Sequence, residues 1–151
     1  MEAWLGAGRL STFPTDMAGR APAVRRSFPR VAESIRDSRV WAREIAISSG
    51  DVAYAATVEL LVSELTTNAV RYGAGDTFAV EFFKTLLIAV IDAGTAPIFT
   101  TPTIPDFGRE GGRGLGIVDA LAARWGVDVL PGGNRVWFQL GGELTVRDAH
   151  G

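Results

Sequence analysis

Glu64, Asn68 and Arg71 stand at steps of four and three within residues 59–75, ELLVSELTTNAVRYGAG. On a helix that spacing lines up a carboxylate, a neutral amide and a guanidinium along about two turns. A carboxylate can take up a proton, and an amide oxygen is a hard neutral ligand suited to Mg2+. Asparagine adds little to helix stability because its amide competes for backbone hydrogen bonds, so propensity does not explain its place between Thr67 and Ala69. The same spacing also describes an exposed polar stripe, and the helix alone leaves both readings open. Two later stretches favour a site. Residues 87–97, LIAVIDAGTAP, form an apolar run ending in Asp92-Ala93-Gly94, as a buried strand does where it emerges at a ligand. Residues 111–125, GGRGLGIVDALAARW, are a glycine segment running into an amphipathic pattern.

The elements that must position these groups follow from periodicity. Val58, Leu61, Val62, Leu65 and Ala69 recur at steps of three and four, giving the central helix a core face beside its polar row. Asp51 is the expected N-cap, and a left-handed glycine within Gly73 to Asp76 the expected stop. Before it, Glu33 to Ile47 reads as a surface helix with Ile35, Ser38, Ala42 and Ile45 inward and Arg36, Arg39 and Arg43 in solvent. Val24 to Phe28 reads as a short edge strand. Thr77 to Phe83 and Leu86 to Ile91 read as a hairpin whose turn lacks the usual Gly, Asn or Asp. Leu115, Val118, Ala122 and Trp125 mark a third helix. Val127 to Leu130 and Arg135 to Leu140 flank Pro-Gly-Gly-Asn as a second hairpin, with Val136 and Phe138 opposed to Trp137 and Gln139. Residues 96–112, with Pro97, Pro102 and Pro105, read as a long loop.

The order of a helix with E-x-x-x-N, a strand ending in D-x-G, and G-x-G-L-G opening a helix resembles the Bergerat-fold, or GHKL, ATPases. The spelling SELTTNAVRYG, VIDAGTAP and GGRGLGIVDALAARWGV is similar to the small bacterial anti-sigma-factor serine/threonine kinases and their stand-alone ATP-binding relatives. The likeness covers roughly Val24 to Leu140 and rests on three ordered motifs. It implies an α/β (α+β) two-layer sandwich: a mixed, mostly antiparallel sheet with an open face and about three helices on the other. Residues 1–22 are expected as a mobile extension, 23–141 as the ATP-binding domain and 142–151 as a tail holding the lone His150.

The resemblance implies ATP and Mg2+ as ligands and assigns the residues as follows. Asp92 accepts a hydrogen bond from the exocyclic amine of adenine, and Gly94 lets the backbone approach the ring; Asp before Gly is also a common turn former. Asn68 binds Mg2+, and Glu64, one turn earlier, takes the proton of an attacking hydroxyl. Gly112, Arg113, Gly114, Leu115 and Gly116 wrap the phosphates at a helix N-terminus, with Arg113 as an added positive charge or simply a solvent-facing side chain. Arg71 and Tyr72 match basic and aromatic positions of the family without an assigned role. Arg135 stands where relatives often carry Thr or Lys before the last-strand Val-Trp, which casts doubt on the adenine side.

Composition excludes other classes. The chain has 151 residues, 47% apolar and 21% charged, the proportions of one globular domain. Its 15 basic and 17 acidic residues leave a net charge of −2, too near neutral for charge to recruit nucleic acid. Lys84 is the sole lysine and lies among phenylalanines, so neither a P-loop nor a eukaryotic-type kinase lysine is present. Gly112, Gly114 and Gly116 miss the G-x-G-x-x-G spacing of a dinucleotide fingerprint. There are no cysteines, hence no disulfide or thiolate zinc site. No apolar run approaches the ~20 residues of a membrane span, and no secretory signal pattern opens the chain, so the expected compartment is the cytoplasm. Without an attached dimerisation helix or phospho-acceptor histidine, a complete histidine kinase is not expected.

Two functions follow from the resemblance. The first is an anti-sigma factor acting as a serine/threonine protein kinase on a small antagonist protein, with that antagonist and a sigma factor as partners and a homodimer as one state to test. The second is a non-catalytic ATP-sensing regulator that binds its partner without phosphorylating it. Glu64 favours the first, since a pure sensor has no need of a base.

Overall fold

The computed structural model describes residues 11–84, 86–93 and 110–141, the side chains of 110–115 excepted. The expectations for residues 96–109, for the tail and His150, and for Trp4 and Leu5 fall outside the described residues. Five strands, β1 (Val24–Pro29), β2 (Thr77–Phe83), β3 (Leu87–Asp92), β4 (Arg124–Leu130) and β5 (Gly133–Gln139), form one sheet. Their spatial order is β1-β2-β3-β5-β4, and every neighbouring pair is antiparallel. Three helices, α1 (Glu33–Ser48), α2 (Ala55–Tyr72) and α3 (Glu110–Leu121), cover one face. This is the expected α+β sandwich.

Strand alternation builds the core. Phe78, Val80 and Phe82 of β2, Ile88 and Val90 of β3, and Val136 and Phe138 of β5 point at the helices. They meet Val58, Leu61, Val62, Leu65 and Ala69, the predicted core face of α2, all 2% exposed or less. The buried residues of α1 are small, Ser34, Ser38, Ala42 and Ala46, which lets its axis approach α2 closely. Ile35 and Ile45, expected inward with Ser38 and Ala42, are only half-buried. Arg39 and Arg43 are not simply solvated, because their Nε atoms converge on the Glu59 carboxylate of α2, each at 3.5 Å. Exposed pairs of this kind contribute about 0–1 kcal/mol each.

Helix ends depart from expectation for traceable reasons. Asp51 makes no side-chain cap, and a 3-10 turn, Val52–Tyr54, precedes α2. Its backbone is committed to the end of α1 instead: Gly50, at φ 91°, donates to Ile47, and the Asp51 N–H donates to Ala46. That pair of bonds is a Schellman motif, which needs a left-handed residue at the glycine position. At the end of α2, Gly73 is extended (φ −79°, ψ −169°), and Gly75 supplies the left-handed backbone at φ 89°. α3 stops at Leu121, so Trp125 lies in β4, where its Nε1–H donates to Asp119 of α3 at 2.8 Å. The glycine-poor turn between β2 and β3 puts Leu86 at φ 58°, left-handed backbone that costs an L-residue roughly 1–2 kcal/mol.

The second face of the sheet is not fully open. The segment before β1 crosses it: the Ser11 N–H donates to Trp125 of β4, and the Ala23 N–H donates to Phe82 of β2. Between these ends Phe13, 7% exposed, packs edge-on to Phe83 and Trp137 with ring centroids at 5.4 and 5.7 Å. Leu87 and Ala89 complete this second, smaller cluster. The part of the expected extension from Ser11 onward therefore belongs to the folded body. Phe13→Ala is expected to cost about 3 kcal/mol of stability, read as a lower denaturation midpoint at unchanged m-value.

Candidate functional site

Along α2 the polar row runs from solvent into the core and out again. Glu64 is half-buried, Asn68 is 6% exposed, and Arg71 is exposed, its guanidinium 5.4 Å from the Tyr72 ring. A solvated stripe would leave all three outside. Burying a side-chain amide at that depth carries a desolvation cost that a surface position avoids, so the stripe reading does not account for Asn68.

α2 packs on β3 and on α3, and its C-terminus ends against Asp92. Asp92, the last residue of β3, is 2% exposed. Its surroundings are built from glycines. A Cβ at Gly73 would lie 3.1 Å from both Cγ and Oδ2 of Asp92, and 2.5 Å from the Ala69 carbonyl oxygen. A Cβ at Gly133 would run into the Asp92 carbonyl oxygen, and one at Gly75 would lie 2.9 Å from the Ala93 Cβ. The backbone thus closes tightly on Asp92 and Ala93 from the end of α2, the loop after it and β5, and a Cβ is excluded at Gly133 by the Asp92 carbonyl and at Gly73 by the Ala69 carbonyl.

Across the ladder Asp92 pairs with Asn134, which is 1% exposed. Asn134 was not among the residues picked from sequence; Arg135 was. The two-residue period counted back from inward Val136 places Asn134 on the helix side and Arg135 on the other. The side-chain contacts agree: Arg135 bonds Asp128 through Nη2 and Nε at 3.1 and 3.3 Å and stacks over Phe13 at 3.7 Å. The Arg135 guanidinium therefore lies on the far face of the sheet from the Asp92 side chain.

The glycine box is partly described. α3 begins at Glu110, so Gly112, Arg113, Gly114, Leu115 and Gly116 lie within the helix and not ahead of it. Each helical glycine costs about 1 kcal/mol relative to alanine, which is why sequence reasoning started the helix later. Gly116 is half-buried. The side chains of 112–115, and Gly94 entirely, lie outside the described residues. The structure therefore brings together Asp92, Asn134 and the end of α2, with Asn68 and Glu64 one and two turns back along that helix.

A family model described as "Histidine kinase-like ATPase domain" matches residues 20–140. The chain belongs to that family. No curated protein matches it. The histidine kinase-like ATPase domain is a GHKL fold, and the antiparallel sheet with three helices on one face is consistent with it. Membership implies ATP binding for this chain, and domains of this family generally bind ATP with Mg2+. The donor set fits such a ligand, with a buried carboxylate in a glycine-lined cradle that a Cβ would fill, and a buried amide one turn up the helix. Among the described residues no helix is long and apolar enough to cross a membrane.

Proposed function

We propose that this ATPase domain is a serine/threonine protein kinase of the anti-sigma-factor type, which phosphorylates a small antagonist protein and sequesters a sigma factor. The observation that carries the reading is the depth profile along α2: Asn68 buried, and Glu64 one turn earlier still partly open to solvent. A residue that only stabilised the fold would not need a carboxylate at that place. A base that meets a protein substrate needs to be reachable.

The Asp92 carboxylate accepts a hydrogen bond from the exocyclic amine of adenine, which guanine replaces with an oxygen. Asn134, across the ladder from Asp92, offers a second polar group on the same side. The Asn68 amide oxygen would hold Mg2+, which when bound neutralises charge on the phosphate oxygens. The free backbone N–H groups of the first turn of α3, that of Gly112 among them, would face the phosphates, where a helix N-terminus favours anions. Glu64 takes the proton from the substrate hydroxyl as that oxygen bonds to the γ-phosphorus and the bond to the ADP oxygen breaks.

Calorimetric titration with ATP, ADP and GTP, each with and without Mg2+, tests the site. Phosphate transfer from labelled ATP to an antagonist protein then tests the reaction. The proposal expects Mg2+-dependent, adenine-selective binding and incorporation on a serine or threonine. Selective binding without transfer to any such protein would move the assignment to the ATP-sensing regulator. No nucleotide binding would overturn both.

A further inference from the structure

Arg30, the residue after β1, is half-buried and reaches into the loop that ends α2. Its backbone N–H donates to the Asp76 carbonyl at 2.8 Å. Its Nε donates to the Gly75 carbonyl at 2.6 Å, and Nη1 to the Val70 carbonyl at 2.8 Å. Val70 is one of the last four residues of α2, whose carbonyls a helix leaves without in-helix donors. A guanidinium there also complements the negative end of the helix dipole. One residue thus ties the last turn of α2 to both ends of the Gly75–Asp76 link.

The far side of that loop is the wall of the Asp92 cradle, made by Gly73 against the carboxylate and Gly75 against Ala93. Glycines have no side chains with which to anchor themselves, so the wall stands where the backbone is held: the Gly73 N–H donates to Ala69 at 3.0 Å, and Arg30 holds the Gly75–Asp76 part. We infer that Arg30 is a positioning residue for base recognition, fixing the Gly73–Asp76 loop and through it the placement of Asp92. The inference rests on the reading of Asp92 as the adenine acceptor. Arg30 touches no ligand itself and acts only through carbonyls. A lysine could reach one carbonyl at a time but lacks the rigid fork that meets two.

The test uses the full chain as wild type, Arg30→Ala and Arg30→Lys. Hydrogen exchange on the ligand-free proteins reads the loop, and titrations with ATP, GTP and inorganic tripolyphosphate read the site. Arg30→Ala is expected to speed exchange at residues 73–76 and to weaken ATP binding about tenfold. It should lower the preference for ATP over GTP and leave tripolyphosphate affinity unchanged, because the clamp acts at the base end. Arg30→Lys should fall between. A general loss of stability would move all three ligands together, so equal losses for ATP, GTP and tripolyphosphate overturn the inference. Exchange at 73–76 identical to wild type overturns it as well. If faster exchange is seen but the wild type itself shows no preference for ATP, the clamp stands as a loop anchor and the adenine assignment of Asp92 is what fails.

Discussion

Asp92→Asn is expected to weaken binding of ATP and ADP alike by about a hundredfold, the scale of a lost hydrogen bond to a charged group plus a donor facing a donor. The exchange is isosteric, so the close contact with Gly73 survives and the fold with it. The amide presents either an oxygen or an N–H2 to the adenine amine, and a second N–H2 in that buried position meets a donor without an acceptor between them. Because the affected group is the base, both nucleotides lose the same factor and tripolyphosphate loses none. Calorimetric titration of the variant decides it, and affinities equal to wild type would remove Asp92 from the site.

Glu64→Ala acts on the other end and should separate binding from chemistry. Its side chain is half-buried on α2 and alanine is the best helix former, so the helix tolerates the change. Removing a general base lowers transfer by about 10²–10⁴-fold while the adenine and phosphate contacts remain. Single-turnover transfer to the antagonist protein, beside a titration with ATP, reads the two effects independently. Transfer at the wild-type rate would return Glu64 to the polar row of α2 with no part in the reaction.

Much of this was legible before any coordinates. The core face of α2, the hairpin partners in the sheet and the three motifs all depend on short-range periodicity, and periodicity is a local property. The rest is set mostly by contacts between distant segments. Asn134 is the exception: motif position points to Arg135, and counting by twos from Val136 separates the two. The covering of the second sheet face had a signal too: Ala79, Phe83, Leu87, Ala89 and Trp137 put apolar residues at outward positions of β2, β3 and β5, beside the polar Glu81, Arg135 and Gln139, where a fully solvated face is mostly polar. Asp51 carried the right residue type for a cap, but whether a backbone N–H closes the helix behind or opens the one ahead is decided by the chain path. The role of Arg30 had no local signature at all, since its partners lie 40 and 45 residues along the chain.

The crossing of the outer face by residues before β1 separates two meanings of a domain boundary. Family likeness begins at residue 20, whereas the packed body reaches back at least to Ser11 and Phe13. A fragment cut where the likeness starts would keep every group assigned to nucleotide recognition and still bare Phe83, Leu87 and Trp137 on one contiguous sheet face. Such a face is a self-association surface in water. Loss of solubility in that fragment would report the missing cover and carry no information about whether the nucleotide site works.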